Sequence, residues 1–283
     1  MKKNFWIAGW VFVFSLSNAA QALAAMEPDA PASGSSSESQ TKSFLDHVHL
    51  SYFAIYHGAS FTEPTSARSA GYDGRPSDRG LINFDSEITA AYMVEPSIGV
   101  GITMPFWLYP VQGRGFVLGD VGVKTFHRNV VNSNGLRVSA NLIVQAATSD
   151  GSKARDMSVG FKSTPSIKYQ IPESRWAVGA WTELKGYAGV SSGKTFKLWL
   201  DPYVEYSFSK SLKFVMGYEL ELNHDVGMNA PLQFRTVMSA IEPGITWVVS
   251  PKFTVGPYLL IYTNNEITAD KTALGAVISA ALL

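Results

Sequence analysis

Nine charged side chains sit at alternate positions among apolar neighbours, and they are the residues through which this chain could do chemistry. Lys124, Arg137, Lys162 and Lys168 fall in the stretches 116–128, 136–147 and 158–170. Asp201, Glu205, Glu219, Glu221 and Glu242 fall in 195–208, 212–223 and 234–249. In an extended chain successive side chains point to opposite faces. All nine are thereby expected on one face, with Val, Leu, Phe and Tyr on the other. The chemistry such a set offers is electrostatic. A basic wall of Lys124, Arg137, Lys162 and Lys168 facing an acidic wall of Asp201, Glu205, Glu219, Glu221 and Glu242 would orient charged or dipolar solutes, because a low-dielectric surround focuses the field. The alternative is that the same groups pair with one another and fill the interior.

Covalent and metal chemistry find less support. There is no cysteine, so disulfides and thiolate metal sites are excluded. His47, His49 and His57 share one parity, and His47 and His49 have the i, i+2 spacing of a metal pair, but no carboxylate nearby in sequence completes a site. His127 has the opposite parity and no serine obviously placed with it, as a lipid-boundary hydrolase would need. Asp85, Glu87 and His57 form an unspecific acid and histidine set. No catalytic residue, metal ligand or cofactor is assigned, and the chain reads as a non-enzyme.

The elements that carry these residues are strands. From Phe44 onward the apolar period is two, the signature of strands rather than helices. Twelve are expected: 46–58, 81–94, 97–108, 116–128, 136–147, 158–170, 176–188, 195–208, 212–223, 234–249, 252–262 and 272–283. The stretch 195–208 is the clearest, with Phe196, Leu198, Leu200, Val204, Tyr206 and Phe208 against Lys197, Asp201, Tyr203 and Glu205. The stretch 116–128 is the least regular, and a bulge near Lys124 and Thr125 would shift its parity. Connections after odd strands are longer (59–80, 109–115, 148–157, 189–194, 224–233, 263–271) and those after even strands are mostly tight. The segment 129–135, ending in Asn134-Gly135, is an exception. The loop 59–80, with Arg68, Asp73, Arg75, Asp78 and Arg79, is expected as a solvated surface hairpin rather than a constriction.

A soluble sandwich also alternates. Three features favour a membrane barrel instead. The strands are long, suited to a tilted crossing. Tyr169, Trp176, Tyr206, Phe208, Phe214, Trp247 and Phe253 fall beside the short turns, where an interfacial girdle belongs. The second face mixes charges with glycine, serine and threonine. After the first residues no apolar run approaches the length of a membrane helix, so a spanning chain must close its backbone bonds in a barrel. The expected fold is all-β, a twelve-stranded antiparallel transmembrane barrel over residues 44–283, with both termini periplasmic.

Residues 1–24 read as a secretory signal: Lys2 and Lys3, an apolar core from Phe5 to Leu16, and Ala22-Leu23-Ala24 as cleavage site. Residues 25–43 read as a flexible periplasmic leader. Loss of the signal removes two lysines and leaves 21 basic against 23 acidic residues, which gives no long-range reason to bind nucleic acid. The whole of 44–283 resembles bacterial outer-membrane barrels of the channel or transporter type. Leu118-Gly119-Asp120-Val121-Gly122-Val123-Lys124 is similar to strand segments of outer-membrane transporters linked to aromatic-compound degradation. Such barrels often end in an aromatic residue, whereas this chain ends Ala281-Leu282-Leu283. The resemblance implies residence in the cell outer membrane, contact with its lipid and lipopolysaccharide, insertion by the barrel-assembly machinery, and passive movement of small polar or charged solutes. A surface-binding or structural barrel with a closed lumen is the alternative, and an outer-membrane hydrolase a more distant one.

Overall fold

The computed structural model describes residues 44–64, 81–111, 115–230, 233–264 and 266–283. The expected signal and leader lie outside the described residues, as do Arg68, Asp73, Arg75, Asp78 and Arg79 of the long loop.

Fourteen strand segments occur among the described residues. They are β1 (Val48–Ser60), β2 (Asn83–Glu95), β3 (Ile98–Tyr109), β4 (Gly115–Leu118), β5 (Gly122–Ser133), β6 (Leu136–Ala146) and β7 (Val159–Ser163). β8 (Ser166–Gln170), β9 (Trp176–Ala188), β10 (Lys194–Ser207), β11 (Leu212–Asp225), β12 (Arg235–Ser250), β13 (Phe253–Tyr262) and β14 (Thr272–Ala281) complete the set. β4 and β5 both lie against β3, while β7 and β8 both bridge β6 and β9. Each of those two pairs is one interrupted stave, so the staves number twelve. Every neighbour is antiparallel, and β14 pairs with β1, Tyr52 opposite Ala280, to close the ring. Closure leaves no strand edge with unpaired amides, which is what a barrel in hydrocarbon requires.

The two interruptions have different causes. Phe106 pairs with Leu118 and Thr103 with Gly122, so two residues of β3 face three of the other stave. This is a bulge, and it inverts parity between β4 and β5. The irregular alternation of 116–128 is its trace in the sequence. Between β7 and β8 stand Thr164 and Pro165. Proline has no N–H to give the ladder, and the Asn141 side chain takes up the free groups, accepting from the Thr164 amide at 3.2 Å and from its hydroxyl. No residue is gained there: Ser163 pairs with Leu142 and Ser166 with Ser139. Lys162 and Lys168 therefore keep the same face.

One expected exception disappears. The segment 129–135 is not a loop: β5 runs to Ser133 and β6 starts at Leu136. Asn134 and Gly135 have φ of 51° and 81°, the left-handed pair that a type I′ hairpin turn demands. The short ends of all even staves are thus tight turns. His47 also departs from expectation. It closes a 3-10 turn, Phe44–His47, rather than joining β1, and its ring stacks on Tyr92 at 5.3 Å. It does not share a strand face with His49.

The molecule is inverted relative to a soluble domain. Among the described residues 23 polar side chains are buried against 15 apolar ones, while Ile102, Val123, Phe161, Trp176 and Trp247 stand exposed. Ile102 opposite Val123, and Val123 opposite Val144, form a greasy row around the outside. Trp176, Tyr206 and Phe208 meet in series, tilted and then edge to face, at 4.8 and 5.2 Å beside the short turns. On the same stave Phe196 lies ten residues from Tyr206. At ~3.3 Å per residue and a tilt of about 40°, that spacing spans roughly 25 Å along the membrane normal. This matches the height of an outer-membrane apolar band.

Candidate functional site

The site is the lumen. Its parity carries Glu87 on β2, Lys124 on β5, Lys162 and Lys168 on β7 and β8, Glu183 and Lys185 on β9, and Lys197 and Glu205 on β10. These groups meet. Lys124 Nζ donates to Glu87 at 2.7 Å, and Lys162 reaches Glu87 at 3.3 Å and Glu183 at 3.4 Å. Glu183 also receives Lys185 at 2.9 Å and Lys197 at 3.6 Å. Lys197 continues to Glu221 on β11 at 3.3 Å, and Lys194 joins Glu221 at 3.7 Å. The result is one chain of ion pairs from β2 to β11. A smaller cluster lies nearer the short turns: Glu205 takes Lys168 at 2.7 Å and Lys213 at 3.2 Å. Glu221 is 1% exposed and Lys124 5%. Ions so deep are tolerable only when paired.

This arrangement differs from two walls of opposite sign. Glu87 and Glu183 stand among the lysines of the expected basic wall, and Lys197 and Lys213 among the carboxylates of the expected acidic one. Lys124, Lys162, Lys168, Glu205 and Glu221 are in the ion-pair clusters. Arg137 is half-buried opposite Lys168 and makes no ion pair among the described residues. Asp201, Glu219 and Glu242 sit together on β10, β11 and β12 and line a common cavity. Apart from Lys194, which stands before the irregularity at 194–196, the missed partners were visible in sequence as lumen-parity charges of their strands. Nothing in the sequence said which would meet.

Four lumen side chains fold back along the wall. The Tyr203 ring lies over Gly179, Tyr258 over Gly275, Phe126 over Gly99, and the Asp201 carboxylate over Gly217. A Cβ at any of these glycines would collide with the group lying on it. These four glycines thus serve a specific end: each makes a shallow bed on the neighbouring strand.

Three cavities adjoin one another in the lumen. The one toward the short turns, about 110 Å³, is lined by His49, Ser51, Glu87, Lys124 and Asn141. The middle one, about 130 Å³, is lined by Phe53, His57, Trp181, Asp201 and Tyr258. The outermost, about 10 Å³, is lined by Met238, Leu260, Tyr262 and Ala273. Phe53 belongs to the first two, and His57, Glu219 and Tyr258 to the last two. The lumen positions of β13, β14, β1 and β3 carry no Asp, Glu, Lys or Arg, and the charges stand on the remaining staves.

Two sets considered for chemistry are not assembled. His57 lines the middle and outer cavities and Glu87 the one toward the short turns, so the acid and histidine set is not gathered as a whole, although Asp85, opposite Ile55, lies diagonal to His57. His127 accepts from the Asn129 amide at 3.2 Å. Among the described residues no three His, Cys, Asp or Glu are grouped as metal ligands.

A closed antiparallel barrel with a greasy exterior band and a charged interior defines the class: a transmembrane β-barrel of the bacterial outer-membrane type. One solved structure supports this fold. An outer membrane channel from Pseudomonas putida F1 superimposes with a TM-score of 0.51 at 10% identity, covering 88% of this chain and 100% of that one. The KdgM porin, solved in complex with disordered oligogalacturonate, gives 0.43 at 7% identity over 83% and 99%. The NanC porin gives 0.46 at 10% identity over 83% and 100%. At 10% identity the likeness to the Pseudomonas putida channel is one of fold. No family model and no curated protein matches the sequence.

Proposed function

We propose that this protein is a passive channel of the cell outer membrane for small polar or charged solutes. The observation that carries the reading is the set of adjoining cavities in the lumen, with shared wall residues and bulky groups laid flat over glycines. Water needs a space of ~10–15 Å³ and several polar partners to enter such a site. The middle cavity and the one toward the short turns exceed that size and are lined by carboxylates, ammonium groups and hydroxyls. The chain of ion pairs is the narrow place, and its ordered charges would sort solutes by sign and shape. The likeness to an outer membrane channel of Pseudomonas putida F1 supports the same reading.

Export by a cleaved signal, a leader over 25–43, contact with lipid and lipopolysaccharide, and insertion by the assembly machinery complete the proposal. A mature N-terminus at Ala25, read by sequencing of the purified protein, tests the first of these. Single-channel recording in planar bilayers tests the channel. Stepwise conductance in potassium chloride is expected. Silence at all voltages would favour the second reading, a closed binding or structural barrel, for which the ion pairs spanning from β2 to β7 speak.

A further inference from the structure

The middle cavity places an aromatic surround and a group of carboxylates in one chamber. Trp181 and Trp199 meet edge to face, their centroids 5.0 Å apart at 84°. Tyr203 and Tyr258, bedded on Gly179 and Gly275, add two further rings to the wall. Register sets the acids on three adjacent staves: Leu200 pairs with Leu220, which brings Glu219 across from Asp201, and Glu242 pairs with Gly217. Asp201 Oδ1 is buried and meets no hydrogen-bond donor. Carboxylates on the cavity wall outnumber ammonium groups four to one, and the single ammonium, Lys168, is bound to Glu205 at 2.7 Å.

A ring face attracts a cation through its quadrupole, most strongly when both are out of water. The molecule already does this once at the edge of the chamber: the Lys197 ammonium lies 4.3 Å from the centroid of the Trp199 ring. Phe53, Ile55 and Val277 supply an apolar floor opposite the acids. An inorganic cation would gain nothing from that floor. An anion would face the acids. A cation with a hydrocarbon body satisfies both sides at once.

We infer that the middle chamber of the lumen is a binding site for small organic cations, such as quaternary or primary ammonium compounds carrying an apolar or aromatic group. This rests on the channel reading only for its transport role, since binding is measurable without conduction.

The test is calorimetric titration of the full mature chain in nanodiscs with benzyltrimethylammonium, and with benzenesulfonate as the anion of like size. Saturable binding of the cation and none of the sulfonate is expected. An Asp201→Asn, Glu242→Gln double variant is expected to weaken cation binding by about tenfold or more, since the rings remain while the carboxylate charge goes. If that variant does not fold, judged by heat-modifiable gel migration, Glu242→Gln alone carries the test with a loss of about threefold. Equal binding of cation and sulfonate, no saturable binding of either, or affinity unchanged in the folded variant would each overturn the site. Bilayer recordings on the same preparation separate the two claims. Conductance without cation binding retires the site alone, and cation binding without conductance retires the channel alone.

Discussion

Glu87 on β2 and Lys162 on β7 meet at 3.3 Å although three staves, those of β3, β5 and β6, stand between them on the wall. The pair is a chord of the barrel. Glu87 also holds Lys124 at 2.7 Å, so one carboxylate serves two ammonium groups in the narrow part of the lumen.

Removing that carboxylate is expected to act on stability and selectivity together. Glu87→Gln leaves buried lysines short of a counter-charge, at a cost of about 3 kcal/mol. Lower resistance to urea in liposomes measures the first effect. The second is a shift of the reversal potential toward anions in a potassium chloride gradient. Unchanged selectivity would place the chord away from the path of ions.

The Tyr258 ring lies over Gly275, and a Cβ there would strike three of its ring carbons. Gly275→Val is expected to drive the ring into the middle chamber and lower single-channel conductance. Tyr258→Ala in the same chain is expected to restore it, because the obstruction is the ring. Conductance that stays low in the double variant would locate the effect in the wall.

Gly135 holds φ of 81° in the turn between β5 and β6, and its missing Cβ would meet the Gln170 carbonyl oxygen at 2.6 Å. Gly135→Val is expected to destabilise the barrel by about 1–2 kcal/mol, as left-handed backbone costs a branched residue that much before any collision. Equilibrium unfolding in detergent or liposomes measures it. Gly115, also at positive φ but with open space around it, is the control: Gly115→Ala is expected to cost less.

Face assignment has its own test. Val123 is 57% exposed on the outside, whereas Ser51 lines the lumen cavity toward the short turns. Val123→Arg is expected to cost about 2–4 kcal/mol in a bilayer, the depth-dependent penalty for a charge facing lipid near mid-membrane. Ser51→Arg, facing a wet interior, is expected to cost well under half of that. Equal costs would mean that the outer row does not meet hydrocarbon.

The strands, their number and their inward and outward faces could be read from the order of residues alone. Side chains of an extended chain alternate strictly, so Phe196, Leu198 and Leu200 against Lys197 and Trp199 state two faces whatever the strand pairs with. Reading failed where the backbone leaves that period. The bulge at 119–121 inverts parity, His47 belongs to a 3-10 turn, and Asn134-Gly135 closes a two-residue turn where a longer loop was expected. Which charges meet was beyond local pattern. Glu87 and Lys162 are 75 positions apart, and only ring closure and the register of every intervening stave bring them together. The same holds for Tyr258 over Gly275 and for the gathering of Asp201, Glu219 and Glu242 around one chamber. Periodicity is a property of the single strand and survives in sequence; a contact across the lumen is set by the summed tilt and stagger of twelve staves, which no single strand contains.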